Sequence, residues 1–176
     1  MLKSFVMAVV CALSLPAQAM LAVGSAAPTF SLPAAQAGKA IHVDARDMLK
    51  KGPLVVYFYP AAFTPGCSIE AKLFAESMPA FEKAGAQVIG ISGDDLETLK
   101  RFSVSHCQGR FAVAADQGLQ VARQYHAASS YGGSYASRVS YVIGRDGKVV
   151  SSLSDSGPAE HIRQSLASVQ QLGVAR

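Results

Sequence analysis

Residues 54–59 read Leu-Val-Val-Tyr-Phe-Tyr, an unbroken run of apolar, β-branched and aromatic side chains that Pro60 closes. A strand that is apolar at every position has no face to give to water, so it must lie inside a sheet covered on both sides. That requirement selects a layered α/β fold, and the rest of the chain alternates accordingly. A helix is expected over "SIEAKLFAESMPAFEKAG", stopping at Gly85 and kinked or broken at Pro79. A strand follows at 86–92, then a helix over "DDLETLKRFSVSHC" that Asp94 opens with Glu97 three residues on, in the manner of a capping box. "FAVAAD" is a further strand and "GLQVARQYH" a short helix. "RVSYVIGRDGKVVSSL" is a hairpin turned at Asp146-Gly147, and a last helix begins at Gly157-Pro158 and buries Ile162, Leu166, Val169 and Leu172. Ahead of the central strand, "GSAAPTFSLPAAQAGKAIHVDA" predicts a loose hairpin, limited by Pro28 and Pro33 to irregular or edge pairing. The fold class is therefore α/β, one mixed sheet with helices on both faces.

With 176 residues, half of them hydrophobic, the chain can build one domain with a substantial core. The net charge of +4 is spread without any Lys/Arg run that could track a phosphate backbone, so no nucleic acid is expected as a partner. The first nineteen residues stand apart. Lys3 precedes the apolar stretch "FVMAVVCALSL", too short to span a bilayer, and Ala17-Gln18-Ala19 has the small-x-small form of a cleavage site. Residues 1–19 are thus expected to be a cleaved secretory signal peptide and 20–176 the mature domain, exported across the inner membrane, periplasmic in a Gram-negative cell, with no membrane attachment after cleavage. Cys11 leaves with the signal, and Cys67 and Cys107 remain, an even pair in an oxidising compartment.

In open α/β sheets, ligands gather at the carboxyl ends of strands. Beyond the 54–59 strand lies "PAAFTPGC", which would seat Cys67 in the first turn of the next helix. Unsatisfied backbone N–H groups and the positive end of the helix dipole favour a thiolate there. Thr64 can cap the turn and face whatever the sulfur attacks. Pro60 and Pro65 stiffen the loop, and Gly66 permits close approach. Local chemistry leaves two readings open, a nucleophile or a small buried hydrophobe before an ordinary capped helix. The four histidines, His42, His106, His126 and His161, fall in separate elements without metal-ligand spacing and read as surface or capping residues. No metal or other cofactor motif is found.

"PAAFTPGC" matches Pro-x-x-x-Thr-x-x-Cys, and this motif resembles that of the peroxiredoxins. "VVYFYPAAFTPGCSIEA" is similar to the bacterioferritin-comigratory, or Q-type, branch, and "VGSAAPTFSLPA", "VIGISGDDLETLKRF" and "SRVSYVIGRDGKV" extend the likeness over nearly the whole mature chain. The resemblance implies a thioredoxin-like fold and reduction of hydrogen peroxide and organic hydroperoxides. It implies that Cys67 attacks the peroxide and becomes a sulfenic acid, that Thr64 orients the peroxide and that Pro60 shields the pocket. It further implies that Arg138 stabilises the thiolate and the leaving oxygen, and that Glu70 holds that arginine. From residue type alone, Arg138 could equally be a solvated residue at a strand start and Glu70 a surface carboxylate. Many members place a resolving cysteine five residues after the first, where this chain has Lys72; others place it in the next long helix, which suits Cys107, although Cys107 falls near Leu96 on the helical wheel and could simply pack there. The loop "SSYGGSYASR" also looks shorter than in many relatives.

The partners expected on this reading are a peroxide substrate and a thioredoxin-like protein or small-thiol reductant, with the chain acting as a monomer or weak homodimer. Two other classes stay in view. A disulfide oxidoreductase of this fold would carry Cys-x-x-Cys, but Glu70 stands three after Cys67. A copper carrier would need a second cysteine where Ala71 stands, while a non-catalytic peroxide or thiol sensor would use the same sulfur as a peroxidase.

Overall fold

The computed structural model describes residues 20–129, 133 and 135–174, so the expected signal peptide at 1–19 lies outside the described residues. Seven strands form one sheet: β1 (Ser31–Gln36), β2 (Lys39–Asp44), β3 (Leu54–Phe58), β4 (Gln87–Ser92), β5 (Ala112–Ala115), β6 (Val139–Ile143) and β7 (Val149–Ser154), in the order β2-β1-β5-β4-β3-β6-β7. The centre, β5-β4-β3, is parallel, and antiparallel hairpins are added on both sides. Among the described residues, five helices accompany them: α1 (Ala45–Lys51), α2 (Pro65–Lys83), α3 (Leu96–Ser105), α4 (Gln120–Gln124) and α5 (Pro158–Val174).

All five residues of β3 are fully buried, as its composition requires. Alternate side chains go to opposite layers. Leu54, Val56 and Phe58 pack with α4 residues Val121 and Ala122 and with Met48 and Leu49 of α1. Val55, Tyr57 and the following Tyr59 pack with Phe74 of α2, Leu99 and Phe102 of α3, and Ile162 and Val169 of α5. This second layer contains both Cys67 and Cys107.

The structure departs from the sequence-based expectations in several places. The opening hairpin is regular, pairing from Ser31–Asp44 to Gln36–Lys39, and β1 is an inner strand; Pro33 is accommodated because β1 meets β5 only at Ala34 and Ala35. Helix α1 was not anticipated. Its seven residues are too few for a clear period, yet Asp44 caps it by accepting from the Arg46 N–H, with Lys50 and Lys51 in the last turn. Helix α2 runs through Pro79. The ring removes one backbone bond, but Phe74, Ala75, Met78 and Phe81 are buried on both sides of it, and that burial outweighs the loss of about 3 kcal/mol. Helix α3 is capped by Asp95, which accepts from the Thr98 N–H at 2.8 Å, and it ends at Ser105, two residues before Cys107. In α5, Ile162 and Val169 are buried, while Leu166 and Leu172 are only partly covered.

Candidate active site

Strand β3 delivers its chain to a turn, residues 60–64, and α2 starts at once with Pro65, placing Cys67 in the first helical turn as expected. Strand β6 lies antiparallel beside β3 with Val139 opposite Phe58, so the residue before β6, Arg138, arrives at the carboxyl end of β3. There its Nη2 lies 3.5 Å from Cys67 Sγ, across 71 positions of sequence. Cys67 is only 2% exposed. Gly66 is what permits the approach. A Cβ at that position would stand 2.9 Å from Arg138 Nη2, so the closeness the glycine allows is to the guanidinium.

Glu70 follows Cys67 by one helical turn and points the same way. It is fully buried and pairs through Oε2 with Arg138 Nη1, which rules out a surface carboxylate; its Oε1 has no hydrogen-bond partner among the described residues. Burial pushes the Glu70 carboxyl from 4.5 up to about 8, with the Arg138 charge and hydrogen bond pulling the other way. Arg138 thus bridges a sulfur and a carboxyl, and is not a solvated residue at a strand start. Thr64 occupies the N-cap position but does not cap with its side chain; the hydroxyl donates to the Ala61 carbonyl at 3.0 Å and is exposed. Pro60 and Arg138 share the wall of a surface groove of about 590 Å³ with Tyr135, Ser154 and Asp155.

Cys107 is fully buried, and burial pushes its thiol up. It sits in the same apolar layer as Cys67, with Tyr59 stacked on Phe102 nearby, and both cysteines are free thiols. Of the loop "SSYGGSYASR", residues 130–132 and 134 lie outside the described residues.

Sequence reasoning missed two features. His161 is not a surface or capping residue: it is buried, with Nδ1 2.8 Å from Ser140 Oγ and Nε2 3.0 Å from the Asp155 carbonyl. The signal was its position in α5 one residue before Ile162, on the shoulder of the apolar stripe. Asp94 does not open α3. Its Oδ2 accepts from the Ala62 N–H and from Ser92 Oγ, both at 2.7 Å, which ties the Cys67 turn to the end of β4. Two adjacent aspartates before a helix hinted at one carboxylate to spare. Among the described residues, no group of three or more His, Cys, Asp or Glu side chains could hold a metal ion.

A thiol in the first turn of a helix at the end of a central strand, faced by an arginine that is itself held by a buried carboxyl, defines a thioredoxin-like thiol enzyme built to receive negative charge at one sulfur. The AhpC/TSA family model matches residues 23–152, and the chain belongs to that family, in its peroxiredoxin Q branch. It is 38% identical over 150 residues to a putative chloroplastic peroxiredoxin Q of Oryza sativa subsp. indica, covering 85% of this chain and 67% of that protein. Against the chloroplastic peroxiredoxin Q of Sedum lineare it is 36% identical over 150 residues, covering 85% and 78%. Among solved structures, peroxidoxin BcpB from Mycobacterium tuberculosis superposes with a TM-score of 0.77 at 27% identity, covering 85% of this chain and 97% of that one. Xanthomonas campestris peroxiredoxin Q gives 0.69 at 25% identity, covering 81% and 91%. The chain is a peroxiredoxin, a thiol-dependent peroxidase of thioredoxin-like fold.

Proposed function

We propose that Cys67 is the peroxidatic residue, attacking hydrogen peroxide or an organic hydroperoxide ROOH. The sulfur bonds to one peroxide oxygen, the O–O bond breaks, Cys67 becomes a sulfenic acid and the leaving RO⁻ takes a proton to become ROH. The observation that carries this reading is Arg138 Nη2 at 3.5 Å from the sulfur, a fixed cation where the thiolate and then the leaving oxygen place negative charge. Glu70 holds Arg138 in position. Pro60 closes one side, Thr64 presents its hydroxyl at the turn's exposed edge to orient the peroxide, and the groove beside Arg138 takes the organic part of ROOH.

Cys107 is proposed as the resolving thiol. Its S–H and the Cys67 sulfenic acid condense to a disulfide and water, which a thioredoxin-like protein or a small thiol then reduces. Lys72, where a nearer resolving cysteine would stand, is exposed on α2, and Cys107 shares the buried layer with Cys67. Residues 1–19 are proposed as a secretory signal that is cleaved on export, to the periplasm in a Gram-negative cell, and the mature domain as a monomer or weak homodimer. The similar plant proteins are named chloroplastic, so the compartment rests on the "AQA" site and is tested by the N-terminus of the exported protein.

The test is mass spectrometry of the mature protein before and after one equivalent of peroxide, with peroxidase turnover measured alongside. Cys67→Ser should abolish turnover with the fold intact. Cys107→Ser should complete one fast turnover and then accumulate sulfenic or sulfinic acid at Cys67. Residual turnover in Cys67→Ser above a few per cent of wild type refutes the peroxidatic assignment; wild-type cycling by Cys107→Ser refutes the resolving one.

A further inference from the structure

The turn that carries Cys67 is fastened to α3 at both ends of that helix. At the start, the Ala62 N–H donates to Asp94 Oδ2 at 2.7 Å, and Asp94 immediately precedes the α3 cap Asp95. Asp94 is itself held, since Ser92 Oγ donates to the same oxygen at 2.7 Å and Ser92 is fully buried. At the far end, the Phe63 ring stands edge-on to Phe102 and to His106, each at a centroid distance of 5.3 Å, and Cys107 follows directly. Phe63 is also held in the left-handed region at φ 65, where an aromatic residue is strained, and the residue remains 46% exposed. A strained backbone and a half-exposed aromatic residue persist together only where docking overcomes the strain. Undocking would relax the backbone and remove the cover from the end of α3.

Resting on the reading of Cys67 as peroxidatic and Cys107 as resolving, we propose that Asp94 and Phe63 are positioning residues. They hold the 60–64 turn in the form that reacts with peroxide, and their release lets oxidised Cys67 and Cys107 meet. Cys67 lies in the first turn of α2 and Cys107 two residues past the end of α3, both buried and unlinked in this fold, and such terminal segments open at lower free energy than the core. Both fasteners act on the 60–64 turn that leads into α2: Asp94 ties it to the end of β4 ahead of α3, and Phe63 ties it to the end of α3 beside Cys107. Neither residue touches the sulfur, so each acts through the turn.

The experiment separates two steps in the reduced mature protein by rapid mixing with one equivalent of hydrogen peroxide, acid quench and mass spectrometry. Oxidation of Cys67 is timed in a Cys107→Ser background, and disulfide formation with both cysteines present. Asp94→Ala should slow oxidation roughly tenfold or more, the loss expected for one charge-assisted hydrogen bond, while disulfide formation is unchanged or faster. The sulfinic fraction in excess peroxide should fall as a result. Asp94→Asn, which keeps an acceptor oxygen, should lie between the two. Phe63→Ala keeps the left-handed strain without the ring and should shift the balance further toward disulfide than Phe63→Gly, which removes both. Equal slowing of both steps, or no change in either, overturns the proposal; equal behaviour of Phe63→Ala and Phe63→Gly overturns the role of the strain. A wild type whose Cys67 resists peroxide refutes the underlying reading instead. If the wild type oxidises at Cys67 but never links to Cys107, the release half of the proposal falls and the first step alone decides the positioning half.

Discussion

Replacing Glu70 by Gln keeps the side chain's shape and an acceptor for Arg138 but removes the titration. Burial holds the Glu70 carboxyl at about 8 in the folded protein, against 4.5 when it is free. A folded pKa raised above the unfolded one contributes stability that is whole below pH 4.5 and is lost as pH rises through about 8. At about 1.4 kcal/mol per pH unit, the interval from 4.5 to about 8 corresponds to about 5 kcal/mol. Set against a typical domain stability of roughly 5–15 kcal/mol, such a change is readily seen. Urea unfolding of the reduced protein at about pH 5 and again above pH 8 should show Glu70→Gln gaining several kcal/mol relative to wild type as the pH rises. The chemistry carries the same proton. While Glu70 is protonated the Arg138 charge is uncancelled at the peroxide; once it ionises, the guanidinium is shared with a carboxylate 0% exposed to solvent. The wild-type oxidation rate should therefore bend downward near pH 8, and the Glu70→Gln rate should not. Parallel stability differences and superimposable pH–rate profiles would refute the reasoning, because they would mean Glu70 is ionised throughout.

Gly66→Ala should lower the rate without raising stability. The new Cβ would meet Arg138 Nη2 at 2.9 Å and push the guanidinium off the sulfur, so peroxide oxidation should slow, while the roughly 0.5–1 kcal/mol that Ala gains over Gly in a helix is offset by the disturbed Arg138–Glu70 pair, so stability by urea titration should not rise. Arg138→Met fills similar space without donors. It should cost about 1.5–3 kcal/mol of transition-state stabilisation, roughly ten- to a hundredfold in the second-order rate measured by stopped flow, and an unchanged rate would mean the arginine is not the group that receives the charge.

The topology was legible because it depends on patterns that nothing else in the chain contests. An apolar run buried on both faces and an Asp-Gly hairpin dictate their surroundings, and β3 and the β6–β7 pair lie where those patterns place them. The opening stretch was harder to read because prolines restrict a strand only where the partner needs its N–H, and which partner lies on which side is a tertiary fact. The break allowed for at Pro79 is absent for a related reason: a local penalty of about 3 kcal/mol is set against the burial on either side of it. Within the site, Cys67 was legible from its place at a strand end and helix start. Arg138 was legible only through likeness, since no local rule connects residues 71 apart. The Asp94-Asp95 pair shows the limit most clearly. Both are plausible caps by spacing, and the folded turn decides that Asp95 caps α3 while Asp94 reaches across to Ala62.

His161 completes the electrostatics of the site. The Asp155 carbonyl can only accept, so Nε2 carries the ring proton and Nδ1 accepts from the Ser140 hydroxyl. Both nitrogens are thereby satisfied in the neutral ring. Burial lowers the pKa of His161, and although the Asp155 carbonyl works against that, the nearby Arg138 charge adds to it. Ser140 stands two residues along β6 from Arg138 and so faces the same layer. A charged histidine there would repel the guanidinium that faces Cys67, whereas a neutral one packs beside it. The buried Ser140–His161 pair thus keeps a second cation away from Arg138, and Glu70 becomes the group whose protonation determines how much of that arginine's charge the sulfur receives.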